Sequence, residues 1–162
     1  MAREGSSKPP YGPEPLVPVP YSSLKRAVGT WIREEHDRAW AGGTVGMSTR
    51  AVLPAVDRTL SRSFLDLSRR ELSMVVHMLT QHNPLHYHLH RIGQAEDPWC
   101  SKCGMEAETP RHIVEECPAL ARLRIRVFCA FNITLKEIVA NKSFKALVSF
   151  LYQAGFYRQD PP

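Results

Sequence analysis

Apolar residues recur at helical spacing along most of this chain, and each run is bounded by a cap or a stop signal. Leu24, Val28, Trp31, Ile32 and Ala39 share one side of a helix predicted to begin at Ser22 or Ser23 and to end at Gly42-Gly43. Residues 44–50 read as a loop. A second helix is expected over 53–65, with Val56, Leu60 and Phe64 on one side and Arg58 and Arg62 on another. Ser68 and Glu71 form a capping box, each side chain satisfying a free amide at a helix start. That helix carries Leu72, Val75, Val76 and Leu79 as its expected buried stripe, and Asn83-Pro84 breaks it. A short helix over 85–92 closes at Gly93. Ala119 to Phe131 is helical by the same reasoning, with Leu120, Leu123, Val127 and Phe131 inward, Arg122 and Arg126 outward and Arg124 beside them. Thr134 and Glu137 form a second capping box. Ser143 is placed to cap a last helix with Phe144, Leu147, Val148 and Leu151 inward, ended by Gly155.

Alternation of period two is nearly absent, so the fold class is mainly α, a small helical domain. The first twenty residues hold six prolines and no periodic pattern, which predicts a disordered, extended Pro-rich arm over 1–20. The remaining divisions are a helical segment over 21–95, a cysteine- and histidine-bearing segment with its following helix over 96–131, and C-terminal helices over 132–162. No internal repeat is present.

Cysteine and histidine spacing adds chemistry to this frame. Cys100, Cys103, His112 and Cys117 read C-x2-C-x8-H-x4-C, three thiolates and one imidazole within eighteen residues. Soft thiolates plus one imidazole suit tetrahedral Zn²⁺, and four protein ligands leave no position for a catalytic water. Gly104 permits a tight turn after the first pair. Thr109 as N-cap and Pro110 as first helical residue start a helix that carries His112, with Cys117 standing before Pro118. The motif's competing reading is a set of unconnected side chains in an intracellular domain. Cys129 is left over, as expected for reduced thiols rather than a disulfide framework.

Composition narrows the remaining classes. Apolar residues at 43% can furnish a core in a chain of 162 residues. The apolar runs are too short to span a bilayer, and the N-terminus has no hydrophobic secretion segment, so an intracellular protein of cytoplasm or nucleus is expected. A net charge of +5 favours acidic partners, nucleic acid first among them, without demanding one. Trp99, directly before Cys100, is a candidate to stack on a base or to serve as the knuckle's small core. Lys102, Arg111, Arg122 and Arg126 are candidates to meet phosphates; Arg58, Arg62, Arg69, Arg70 and Arg124 form further sets that read equally as solvated helix faces. His82, His86, His88 and His90, with His77 upstream, form a cluster. His86 and His90 share a helical face, which suits a metal or a phosphate. His82 follows Val75 and Leu79 on an apolar face, which suits a packed, hydrogen-bonded imidazole, as does His88. No carboxylate motif accompanies these histidines, so a metal nuclease built on them is not expected.

The succession LTQHNPLHYHLHRIG (79–93) and EDPWCSKCGMEAETPRHIVEECPALARLR (96–124) resembles the C-terminal region of insect-type non-LTR (LINE-like) retrotransposon polyproteins. GPEPLVPVP (12–20), Trp31, Trp40 and LSRREL (67–72) resemble it too, and AREGSS (2–7) is similar to the tail of the ribonuclease H domain that precedes this region in some clades. The resemblance implies that Cys100, Cys103, His112 and Cys117 bind zinc. It further implies single-stranded RNA or DNA as partner, and the preceding polymerase and ribonuclease H domains as neighbours in the intact element. Two departures stand out. Gln81 replaces a glycine of the family's Leu-Thr-Gly-His, and the family's basic segment before the second helix is reduced to MSTR (47–50). The acidic catalytic residues of the parent polyprotein lie outside this chain, so it is expected to be non-catalytic, with no small-molecule substrate. The alternative is a zinc-stabilised scaffold module that packs on those domains.

Overall fold

The computed structural model describes residues 19–55 and 57–158, so the Pro-rich arm predicted over 1–20 lies almost wholly outside the described residues. The chain divides into two units, Met1–His36 and Asp37–Pro162. The described residues are mainly helical, with no strand and one isolated antiparallel bridge, Trp99 to Ala107. No helix among them is long and apolar enough to cross a membrane.

Helix α1 spans Tyr21–Gly42, close to the expected limits, yet none of its residues is buried. Leu24, Val28, Trp31 and Ile32, in the first unit, are not buried by that unit itself. The loop expected over 44–50 is instead partly helix, α2 (Met47–Val52). Its sequence gives weak local signals; Gly46 enters it at φ 71°, and contacts with later helices sustain it. Helix α3 (Arg58–Leu65) starts five residues later than expected. Pro54 interrupts the run, and Asp57 caps the helix by accepting from the Thr59 amide at 2.7 Å. Val56, expected on its apolar side, lies outside the described residues.

Helix α4 (Arg69–Thr80) opens with the capping box: the Ser68 amide donates to Glu71 at 2.7 Å and the Glu71 amide to Ser68 Oγ at 3.3 Å. Val75 and Leu79 of the expected stripe are buried, joined by Met74 and Met78, while Leu72 is half-buried and Val76 exposed. The two methionines rotate the apolar face by one position. Both belong to the core cluster, where flexible, unbranched side chains adapt to irregular gaps. Helix α5 (His86–Arg91) follows the Asn83-Pro84 break. Helix α6 (Ala121–Phe128) is shorter than predicted. A tight turn at Pro118–Leu120 precedes it, and Cys129 at φ 53° ends it, leaving Phe131 beyond the helix and exposed.

Helix α7 (Leu135–Ala140) begins with the second capping box, the Thr134 amide donating to Glu137 at 2.8 Å and the Glu137 amide returning to Thr134 Oγ1 at 3.1 Å. Helix α8 (Phe144–Gln153) buries Phe144, Leu147, Val148 and Leu151 as expected, and Phe150 as well. Ser143 makes no side-chain cap there, because its backbone departs from the extended geometry a cap requires. One core cluster runs from Leu60 to Ala154, with α8 against both α4 and α6. Phe64 meets Phe144 at a centroid distance of 4.9 Å, and Phe128 meets Phe150 at 5.5 Å. Cys100, Ile113, Val114 and Cys117 belong to the same cluster, so the Cys/His segment is built into the core rather than appended to it.

Candidate metal centre

The Cys/His segment starts as a small hairpin. The Cys100 amide donates to the Glu106 carbonyl and the Glu108 amide to the Pro98 carbonyl, both at 2.8 Å. Between them the chain turns sharply, the Gly104 amide bonding back to the Cys100 carbonyl at 2.8 Å with Gly104 at φ 66°. A side chain at this φ would be strained, so glycine suits the position. The turn brings both thiols to one end of the hairpin.

The second pair of ligands is set by an unusual turn. Thr109 acts as the N-cap, its hydroxyl accepting from the His112 amide at 3.1 Å, with Pro110 as the first helical residue. The helix then widens: over His112–Glu116 the hydrogen bonds skip five residues, and the Cys117 amide donates to the His112 carbonyl at 2.6 Å. In a regular α-helix, positions five apart diverge by about 140° around the axis. The wider turn restacks Cys117 above His112 and lets both side chains face the hairpin. Such bulges concentrate at functional sites.

All four donor atoms of Cys100, Cys103, His112 and Cys117 lie within 4.8 Å of one another. Cys100 Sγ is 3.9 Å from Cys117 Sγ, and Cys103 Sγ is 3.3 Å from His112 Nε2. Metal bonds of about 2.3 Å to sulfur and 2.0–2.1 Å to nitrogen give tetrahedral edges of about 3.8 Å between sulfurs and 3.6 Å from sulfur to nitrogen. The observed separations bracket those edges. A disulfide needs about 2.05 Å, and all the described cysteines are free. This Cys3His group could hold a metal such as zinc.

Its electrostatics point the same way. The Met105 amide, followed by His112, lowers the Cys103 thiol to a pKa of about 6. Burial, and then the neighbouring Cys100, pushes Cys117 up to about 12. Three sulfurs this close cannot all ionise without a compensating cation, and a divalent ion supplies that compensation.

Three surrounding residues escaped the sequence reading. Glu108 is buried, accepting from the Ser101 amide at 2.6 Å and the His86 amide at 3.1 Å, and so ties the cysteine turn to α5. Nothing in the local pattern marks it. Glu106 places Oε2 3.4 Å from His112 Nδ1, on the side of the ring facing away from Cys103. Arg124, expected beside the outer face of its helix, is buried instead. It donates from Nε to the Val114 carbonyl at 2.7 Å and from a terminal nitrogen to the Cys117 carbonyl at 3.0 Å. The signal was present, since Arg124 follows Leu120 by four positions, and the widened turn leaves carbonyls that need a donor.

The other candidates have mixed placements. Trp99 is 52% exposed, with its indole outside the core and its carbonyl 3.1 Å from His86 Nδ1. Lys102 is exposed, its ammonium 5.1 Å from the centroid of the Phe156 ring. Arg111 is ion-paired with Glu116 at 2.8 Å and Glu115 at 3.6 Å, which opposes a phosphate role. Arg122 and Arg126 are exposed on α6, and Arg70 donates to the Arg158 carbonyl. The histidines also divide. His77 bonds Tyr157 and Ser73, His86 bonds the Trp99 carbonyl, and His90 bonds the Ala95 carbonyl. His82 and His88 instead meet edge to face at 5.2 Å, and His82 is exposed rather than packed on an apolar face. The turn at Gln81 redirects the chain before His82 can follow Val75 and Leu79. No family model matches this chain, and neither a curated protein nor a solved structure does.

Proposed function

We propose that Cys100, Cys103, His112 and Cys117 bind one Zn²⁺ as a closed structural site, and that the segment it orders is a non-catalytic nucleic-acid-binding knuckle. The parent molecule would be a non-LTR retrotransposon polyprotein, as the motif in its sequence context resembles. The convergence of four donor atoms within 4.8 Å carries the metal half of this reading. With every coordination position taken by protein, the ion supplies folding energy and no activated water. The nucleic-acid half is supported by the half-exposed Trp99 indole beside the first ligand, with Lys102, Arg122 and Arg126 exposed as cations. Single-stranded RNA or DNA is the expected partner, since a base must be unstacked to reach an indole.

Zinc-loaded protein titrated with fluorescent single-stranded RNA should bind with an affinity that falls linearly on a log–log salt scale. Trp99→Ala should weaken it by about 1–3 kcal/mol with the metal retained. Chelation should abolish binding together with the ordered knuckle. A metal-free protein after gentle purification would refute the first half, and salt-independent or absent RNA binding the second. The scaffold alternative is favoured by one observation, the exposed apolar residues of α1. It predicts binding to a polymerase or ribonuclease H domain with no RNA affinity.

A further inference from the structure

Away from the metal centre, the N-terminal end of α2 and the junction of α4 with α5 enclose a hollow of about 340 Å³. Its polar lining includes Ser48, Thr49, Gln81, His82, His88 and Arg91, and none of the lining residues is acidic. A water molecule's share of liquid volume is about 30 Å³, so the hollow accommodates a polyatomic anion with part of its hydration. We propose that it is a phosphate-binding site, with Arg91 as the bidentate donor and His82, His88 and the Gln81 carboxamide completing the cradle.

Several cationic side chains of the molecule are already occupied. Arg124 is spent on backbone carbonyls and Arg111 on glutamates. Arg91, among the described residues, makes no side-chain hydrogen bond or ion pair. The histidines show the same contrast: His77, His86 and His90 each have a ring nitrogen on a protein partner, whereas His82 and His88 contact each other through their ring faces and edges. Their ring nitrogens have no protein hydrogen bond among the described residues, and no acidic residue lines the hollow that they share with Arg91. A planar fork flanked by neutral or cationic donors is the chemistry that selects phosphate.

Gln81 borders the hollow at its α4 rim. As the C-cap of α4 it sits at φ 63°, the left-handed region where glycine is at ease, so glycine can replace it without cost to the helix end.

The site is separate from the metal centre, and the proposal does not depend on the nucleic-acid reading given above. The ligand is a phosphate group, whether free or part of a nucleic-acid backbone, and the test separates the two. Imidazole NMR signals of zinc-loaded protein are followed during titration with inorganic phosphate, with chloride at matched ionic strength as control. Signals of His82 and His88 should move saturably, and those of His77, His86 and His90 should not. Arg91→Gln should weaken phosphate binding by about tenfold. Gln81→Gly should raise the melting temperature while lowering phosphate affinity, a pairing that a purely structural glutamine cannot produce. If the native protein also binds single-stranded RNA, Arg91→Gln should reduce the salt slope by about one. Phosphate binding without RNA binding assigns the site to free phosphate and removes the nucleic-acid reading alone. Absence of any selective response at His82 and His88, or unchanged affinity in both variants, overturns the phosphate site and leaves the metal centre untouched.

Discussion

Glu108→Gln tests whether the buried carboxylate organises the knuckle. The replacement keeps shape and volume but exchanges one acceptor oxygen for an NH2 donor. Glu108 is 2% exposed and accepts from two backbone amides, Ser101 at 2.6 Å and His86 at 3.1 Å. Glutamine can serve only one of them and turns a donor toward the other. A hydrogen bond to a charged group contributes about 1.5–3 kcal/mol, and a buried donor left unpaired costs about 1–3 kcal/mol. The bond that survives is also weakened, because its acceptor is now neutral. The combined loss is about 3 kcal/mol, allowing for partial relaxation of the exposed Ser101 side. At about 2–4 °C per kcal/mol for a chain of this length, the melting temperature of the zinc-loaded protein should fall by roughly 9 °C. Calorimetry measures that shift, and hydrogen exchange locates it: the amides of Ser101 and His86 should lose protection first. His86→Ala serves as a control, since it keeps the backbone amide that Glu108 accepts from. A Glu108→Gln protein that melts within about 1 °C of the parent, with both amides still protected, would refute the reasoning.

Other outcomes follow from the same geometry. Arg124→Met preserves packing but leaves the Val114 and Cys117 carbonyls without their donor, and should destabilise the protein by about 2–4 kcal/mol in urea unfolding; a loss below about 0.5 kcal/mol would show the widened turn to be self-sufficient. Glu106→Ala removes the exposed carboxylate facing His112 Nδ1. It should lower zinc affinity about tenfold in a chelator competition and, at the same free zinc, cost the loaded protein about 1.4 kcal/mol, or roughly 3–6 °C in melting temperature. In the capping boxes, the Ser68 and Thr134 backbone amides hold the Glu71 and Glu137 carboxyls below their usual value of 4.5. Their contribution to stability is therefore complete above that pH and is lost as acid protonates them. Replacing both by glutamine should flatten the stability profile below pH 4.5 relative to the parent, and parallel profiles would contradict it.

Local chemistry explains why some elements were readable in advance. A capping box is a contract between residues three apart, so Ser68 with Glu71 and Thr134 with Glu137 needed no tertiary information. The stripe of α8 was similarly legible, because Phe144, Leu147, Val148 and Leu151 are unambiguous at helical spacing. Cys100, Cys103, His112 and Cys117 announced themselves by residue type, since few other chemistries use three thiols and an imidazole at that separation. Long-range contacts governed what was missed. Helix α2 has weak local propensity and is held by its neighbours. The burial of Met74 and Met78 follows from which side of α4 meets helices distant in sequence. Arg124 went inward because a turn with an extra residue exposes carbonyls that nothing in its own helix can satisfy.

Sequence alone thus determined the helical class, the two capping boxes and the four donor atoms, all of which depend on residue identity and short spacing. Tertiary structure decided where those donors converge, through the five-residue turn that restacks Cys117 on His112 and the buried Glu108 and Arg124 that brace it. It also sorted five histidines into three with local partners and two beside Arg91. The physical reason is common to both: hydrogen-bond satisfaction of buried groups is settled by whatever the fold brings alongside, and neighbours distant in sequence leave no periodic trace in it.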